Sequence, residues 1–278
     1  YDSHEYLKGW PLYLSNKGLI NKLKGFLVWN YELGLEKKCA SLADAVITIT
    51  DQIGHKLEHE LNLKFSPIVV RNYPIQKNNK SQPGSLHEKL GISFDKKILV
   101  HSGSIYYSDQ QLNDLANVIL SIENIVLVFI GNRPRFFEVK NKLLKKDHSQ
   151  SKFYFVDYPR DNEDIVQLIS SADIGLMHIR NDWIAHQIGS ANRYLEYSHA
   201  GLAILSTYQD TAVEINKKYN HTLFYDENDF TSFEKKLNAM LVNLDKYKNN
   251  ASNIKNKLTW ESEEIKLINL YKTLIDTN

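Results

Sequence analysis

The sequence predicts an α/β protein built on parallel sheets and divided into two units. Three observations predict it. Short apolar runs rich in β-branched residues alternate with segments of helical spacing along most of the 278 residues. The runs are continuously apolar, which suits strands covered by helices on both faces. A polar stretch, residues 76–96, interrupts the alternation with Pro83, Gly84 and Gly91 and reads as an interdomain linker.

In chain order, "ADAVITIT" (43–50) reads as a strand and "SPIVVRNYP" (66–74) as a second, closed by Pro74. Between them "DQIGHKLEHELNL" has helical spacing through Ile53, Leu57 and Leu61. After the polar stretch, "KILVHSG" (97–103) is a strand ending in glycine and "DQQLNDLANVILSI" a helix. "NIVLVFIGN" (124–132) is a strand, "PRFFEVKNKLLKK" a helix and "KFYFVDYP" (152–159) a strand. "NEDIVQLISSA" is a helix, and "DIGLMHI" (173–179) and "LAILST" (202–207) are strands. In open parallel sheets ligands bind outside the carboxyl ends of the strands, so functional residues are expected after Gly103, Gly131, Asp157 and His178. The last segment, 258–275, is an amphipathic helix with Thr259 as N-cap, Glu261 and Glu263 near its start, and an apolar face through Ile265, Leu267, Ile268, Leu270, Tyr271 and Leu274. That face is expected to pack on the core.

Composition narrows the function. At 42% hydrophobic and 24% charged residues the chain is globular. A formal net charge of +1 offers no electrostatic footprint for nucleic acid. Cys39 is the only cysteine, which excludes an intrachain disulfide or zinc–thiolate site and fits the reducing cytoplasm. No run reaches about 18 apolar residues, the length of a membrane span. "YDSHEYL" (1–7) reads as the end of a buried strand, so an N-terminal portion is expected to precede Tyr1.

The most informative stretch is "GSANRYLEYSHAGLAILS" (189–206). Asn192 is expected to cap a short helix that Gly201 ends. A helix start offers free amides and partial positive charge to phosphate, and Gly189 and Ser190 admit a ligand close to the backbone. Arg193 adds a planar cation suited to phosphate oxygens. Glu196, about a turn on, would instead accept hydrogen bonds from vicinal hydroxyls such as those of a ribose. Together they read as a nucleotide diphosphate site. A surface Arg/Glu pair on an ordinary helix is the other reading of the same residues.

The segment "ANRYLEYSHAGLAILS" resembles the "PNKxxEYxAxGxPVxxS" stretch of retaining glycosyltransferase family 4, whose GT-B fold sets two Rossmann-like domains face to face. "YDSHEYL", "ADAVITIT", "VVRNYP", "VHSGSI", "LVFIGN", "FYFVDYP", "ISSADIGLMHI" and "TWESEEIKLINLYKTL" resemble further segments of that family, in its order and over nearly the whole chain. The resemblance implies residues 1–75 as the remainder of an acceptor-side domain and 76–96 as linker. It implies 97–257 as a nucleotide-sugar domain and 258–278 as a helix crossing back. Glu196 would hold the ribose, Arg193 the diphosphate, and Gly189 would lie beside the diphosphate and sugar. Gly103, Ser104, Ser190 and Asn192 would complete the donor wall, with Asp157 and Tyr158 near the base and Arg133 or Arg180 as helpers. His4 matches the family's active-site histidine, near the transferred sugar, and Glu5 would meet the acceptor; Asp2 is a weaker candidate, for the strand end.

Two departures matter. The family's first glutamate, eight residues before Glu196, is Ile188 here. The usual arginine and lysine on the diphosphate correspond to Ser104 and Asp109, so the cationic pair is lost. The reading implied is transfer of a sugar from a nucleotide-diphosphate donor to a saccharide or lipid-linked acceptor, in surface polysaccharide or glycolipid assembly. No cofactor is expected. No metal is expected either, because no DxD pair occurs and His178, His186 and His199 lack ligand spacing. A degenerate sugar-nucleotide binder or partner subunit and a nucleotide-sugar 2-epimerase remain as alternatives. A dehydrogenase does not, since no GxGxxG follows a strand. Residues 6–29 mix Lys8, Lys17, Lys22 and Lys24 with Trp10, Tyr13, Leu19, Leu23, Phe26 and Trp29. Their apolar face is expected to pack in the first unit, and a peripheral membrane contact, at the inner face, is the other reading.

Overall fold

The computed structural model describes residues 1–76, 85–159, 163–254 and 257–276. Residues 77–84 of the expected linker, residue 162 of the expected helix there, and residues 277–278 lie outside it.

The first sheet joins β1 (Asp2–Ser3), β2 (Ile47–Thr48) and β3 (Ile68–Val69), in that order and all parallel. Its crossovers are α1 (Leu19–Leu42) and α2 (Asp51–Leu61). Thr50 caps α2 by accepting the Ile53 N–H at 3.1 Å, and Asn62 ends it in the left-handed region that asparagine tolerates. Tyr6, Ala40, Val46, Ile49, Ile53 and Leu57 form its core, together with Ile188 from the second half of the chain.

The second sheet holds β4 (Lys97–Ser102), β5 (Ile125–Ile130), β6 (Phe153–Val156), β7 (Ile174–Met177), β8 (Ala203–Ser206) and β9 (Thr222–Phe224). The order is β6-β5-β4-β7-β8-β9, all parallel, so the winding reverses between β4 and β7. Helix α3 (Leu86–Leu90) leads in. It begins on a reciprocal Ser85/Glu88 capping box, ends at Gly91, and buries Leu86 within the expected linker. Helices α4 (Asp109–Ser121), α5 (Pro134–Lys146) and, further along, α10 (Phe230–Val242) cover one face through Leu112, Leu115, Phe136, Val139 and Phe233. Helices α6 (Glu163–Ile169), α8 (Asn192–Ala200) and α9 (Asp210–Tyr219) cover the other through Ile165, Ile169, Tyr194, Tyr197 and Ile215. Short α7 (Ile184–Ile188) follows β7, and α11 (Leu244–Ser252) follows α10. Each fully buried aliphatic or aromatic side chain in these layers contributes about 1.5–3 kcal/mol of transfer free energy.

Helix α12 (Trp260–Asp276) returns to the first unit. Its Trp260 N–H donates to Pro74 O at 3.0 Å. The expected first-turn acids do more than meet a helix dipole: Glu263 accepts the Arg71 N–H at 2.9 Å and Glu261 the Gln76 N–H at 3.0 Å. The expected packing of its apolar face is found only in part: Leu267, Leu270 and Leu274 are half-buried, Ile265, Ile268 and Tyr271 are exposed, and Glu263 is buried. Helix α1 departs in the same way. Tyr13, Phe26 and Trp29 do cluster, with ring centroids 5.3–6.3 Å apart. Leu19, Ile20, Leu23, Leu27, Val28 and Tyr31 are nevertheless exposed. Along its 24 residues the buried ones are Glu36, which accepts the Tyr1 hydroxyl at 3.0 Å, and Ala40, which joins the first unit's core. Among the described residues no helix is long and apolar enough to cross a membrane.

Candidate functional site

A cavity of about 500 Å³, the size of a small-molecule site, opens between the two units at the reversal of the second sheet. His4, Glu5, Tyr6 and Trp10 line it from the first unit. Ser104 and Tyr106 follow β4; His186, Gly189, Ser190, Asn192, Arg193 and Gln209 follow β7 and β8.

The local sequence explains the wall. Gly189 ends α7, its N–H bonded to Ala185 O at 3.0 Å, and a Cβ there would stand 2.7 Å from that oxygen. Helix α8 then starts one residue earlier than expected. Ala191 is its N-cap, without a side-chain bond, and Asn192 is its first helical residue, exposed at the rim. The expected asparagine cap is therefore corrected. An asparagine side chain there would have accepted a backbone amide of the first turn; with alanine the Tyr194 N–H bonds the Ala191 carbonyl at 2.9 Å and the Asn192 and Arg193 amides meet no side-chain cap. Gly201, at φ +79°, closes the helix as expected.

Arg193 reaches across the reversal. Its Nη2 donates to Ser104 O at 2.6 Å and its Nη1 lies 3.2 Å from His101 Nε2. Gly103 makes room: it sits at φ +79°, and a Cβ would come within 3.3 Å of the guanidinium. Burial first, and Arg193 second, hold His101 well below the usual histidine range, so it is neutral beside the guanidinium. His178 is pushed down to about 3, again by burial and then Arg193, and it stacks on Tyr107 at 4.1 Å while Nδ1 meets Tyr225 Oη at 3.0 Å.

Glu196 lies on the other flank of Arg193. Burial raises its carboxyl pKa and Arg193 opposes the rise. Burial first, and the Glu196 charge second, push Tyr158 up to about 12. Asp157 beside Tyr158 is exposed. Arg133, the N-cap of α5, is exposed too, and Arg180 pairs with Asp182; neither lines the cavity. Asp109 is neutralised by Arg135 at 2.8 Å and Lys142 at 2.5 Å. Ile188 is buried against the first unit's core. Asp2 holds His4 Nε2 at 3.1 Å, both largely exposed at the cavity's edge.

The structure thus brings His4, Glu5, Ser104, Gly189, Ser190, Asn192 and Arg193 into one cavity, while Glu196, Asp157, Tyr158 and Gly103 are not among the residues that line it. Sequence reasoning missed Trp10, Tyr106, His186, Gln209 and the buttress His101. Gln209 follows the carboxyl end of β8, and His101 is a polar interruption of an apolar strand; both signals were present. Trp10 and Tyr106 carried none.

No protein-family model matches the chain, and no curated protein does. Solved structures do. Anabaena HepE, in complex with UDP-glucose, matches with TM-score 0.68 and 13% identity over 98% of this chain and 71% of that one. WaaG, a glycosyltransferase involved in lipopolysaccharide biosynthesis, matches with TM-score 0.62 and 18% identity over 95% and 72%. Sucrose-phosphate synthase from Thermosynechococcus elongatus matches with TM-score 0.64 and 14% identity over 90% of this chain, which spans 63% of that protein's length. The likeness shows the fold: a GT-B-like arrangement of two parallel α/β units.

Proposed function

We propose that this chain belongs to a glycosyltransferase that moves a sugar from a nucleotide diphosphate to a hydroxyl acceptor with retention. The observation that carries the reading is the start of α8, which has no side-chain cap, where Asn192 and the Arg193 guanidinium line the cavity and Glu196 follows a turn later on the same helix. Amides and guanidinium suit a diphosphate. A carboxylate that makes no hydrogen bond or ion pair with a described residue suits a ribose. The base would lie by Asp157 and Tyr158. Gly103, Ser104, Gly189, Ser190 and Asn192 would line the donor, with Arg133 and Arg180 as outer cations. Residues 97–257 are the proposed donor domain, 1–75 the acceptor side, 76–96 the linker and 258–278 the return helix.

In the reaction, the bond from the anomeric carbon to the β-phosphate oxygen breaks, and the acceptor oxygen takes its place while giving up its proton. Arg193 and the helix amides would stabilise the charge that develops on the departing diphosphate. His4 would hydrogen-bond the transferred sugar, and Glu5 would face the acceptor. Closure of the cleft would exclude water that otherwise hydrolyses the donor. The proposed acceptor is a saccharide or lipid-linked saccharide at the inner membrane face, approached through residues 6–29, in surface polysaccharide or glycolipid assembly. The structures of HepE with UDP-glucose and of WaaG on this fold support that donor class and setting.

The test is calorimetric binding of UDP, GDP and ADP and of their sugar conjugates. Arg193→Ala and Glu196→Ala are each expected to weaken the bound pair by about ten- to a hundredfold, the worth of a charge-assisted contact, with little change in ligand-free melting temperature. Equal affinity in wild type and variants would remove the site. Asp109, itself neutralised where the family resemblance implies a cation, favours a second reading as a non-catalytic binder. Donor binding without release of nucleotide diphosphate would establish it.

A further inference from the structure

Gln209 stands apart in the cavity wall. It is the N-cap residue of α9, yet its side chain makes no capping bond. It turns inward instead, is 3% exposed, and donates Nε2–H to the His186 carbonyl at 3.1 Å. That bond fixes the amide orientation, because the flipped form would set oxygen against oxygen. Oε1 is consequently directed elsewhere, and it is buried with no hydrogen-bond partner among the described residues. The hydroxyl oxygen of Ser190, in the same cavity wall, is buried and likewise without a partner. Thr211 and Thr50 hold the intervening loop by donating to the carbonyls of Gly189 at 3.2 Å and Ile188 at 2.9 Å.

The cavity therefore has two chemical ends. Arg193 and the start of α8 are donors and suit an anion. Gln209 Oε1 is an acceptor only, so a phosphate oxygen cannot satisfy it and a hydroxyl can. We propose that Gln209, with Ser190 beside it, is a specificity-determining residue that accepts a hydrogen bond from a hydroxyl of the transferred sugar. The ligand it fits is the sugar part of a nucleotide diphosphate sugar, so the proposal rests on the function proposed above. A sugar seated there lies beyond the diphosphate on the His4 side, since His4, Ser190 and Gln209 line one cavity.

The experiment compares each nucleotide diphosphate with its sugar conjugate on the same protein. Calorimetry is run with UDP, UDP-glucose, UDP-galactose and UDP-N-acetylglucosamine, and with GDP, GDP-mannose, ADP and ADP-glucose, on wild type, Gln209→Met, Gln209→Glu and Ser190→Ala. For whichever pair the wild type binds, Gln209→Met is expected to leave the nucleotide diphosphate within about twofold and to weaken the conjugate at least about fivefold, one hydrogen bond's worth. Gln209→Glu keeps an acceptor and loses the bond to His186, so it is expected to retain more of the sugar's contribution than Gln209→Met. If both ligands weaken together, Gln209 merely pins the His186 loop and the proposal falls. If neither changes, it falls as well. If the wild type binds none of the nucleotides, the proposed function itself is overturned and takes this inference with it. Melting temperatures of the four proteins separate a misfolded variant from a folded one, and Ser190→Ala supplies an independent reading from the other acceptor.

Discussion

The two charged residues of α8 were legible because their chemistry is local. Arg193 follows a small-residue loop, Glu196 stands three residues on, and both sit where a parallel sheet exposes its strand ends. What supports Arg193 was not legible. Its partners, His101 and the Ser104 carbonyl, lie 92 and 89 residues away in sequence and meet it only through strand order. The asparagine cap failed for a local reason: Ala191 takes the extended conformation before the helix and Asn192 enters it. At this scale His4 yields a prediction. It lines the cavity from the first unit and among the described residues pairs with exposed Asp2. His4→Ala is expected to leave the affinity for the nucleotide diphosphate within about twofold and to slow its release from the sugar conjugate by about a hundredfold, the loss expected of one group that acts in the transition state. Calorimetry and a release assay check it; a loss of affinity with unchanged turnover would refute the assignment.

Among the elements, the second sheet was the legible part. Its strands are buried on both faces and so read as apolar runs, and its helices α4, α5 and α6 are amphipathic against it. Between Asp210 and Ser252 the elements α9, β9, α10 and α11 were not foreseen, although α10 buries Phe233, Leu237 and Met240 at helical spacing, so the signal for it was present. Gly175 shows how tight the packing is. A Cβ there would meet the ring of Tyr197 at 2.4 Å, and Tyr197 is fully buried with its hydroxyl accepting the Ser102 N–H at 2.9 Å. Gly175→Ala is expected to cost about 1–3 kcal/mol as an overpacked core, read as a lower urea midpoint; an unchanged midpoint would show that the ring yields freely. The exposed stripe of α1 has a different consequence. Leu19, Ile20, Leu23 and Leu27 stand among Lys17, Lys22 and Lys24, and residues 6–31 contain no acidic residue. Under the proposed membrane approach, co-sedimentation with phosphatidylglycerol vesicles is expected, weakened by salt and by Leu23→Glu, with none on phosphatidylcholine alone. Equal recovery on both vesicle types would argue against it.

Across the whole molecule, buried histidines set the response to acid. His178 and His221 are both pushed down to about 3, chiefly by burial, and His101 is lowered by burial and Arg193. Each binds a proton in the unfolded chain below about pH 6.5 that it refuses when folded. Their stabilising effect is therefore complete above that pH and is lost as pH falls, for His178 and His221 towards 3 at about 1.4 kcal/mol per pH unit each. Urea midpoints are expected to fall from pH 7.5 to pH 5, before most carboxylates titrate; a flat profile over that range would contradict the burial of these rings. The two units are joined by few but well-placed contacts. Arg71 bridges Asp51 at 2.6 Å and Glu214 at 3.3 Å, and Thr50 uses one hydroxyl both to cap α2 and to hold Ile188 O at 2.9 Å. That shared oxygen makes a mechanical fulcrum. Prising the halves apart would pull on the Ile188–Gly189 loop and on the cap of α2 through the same oxygen, so neither end of that hinge shifts without disturbing the other.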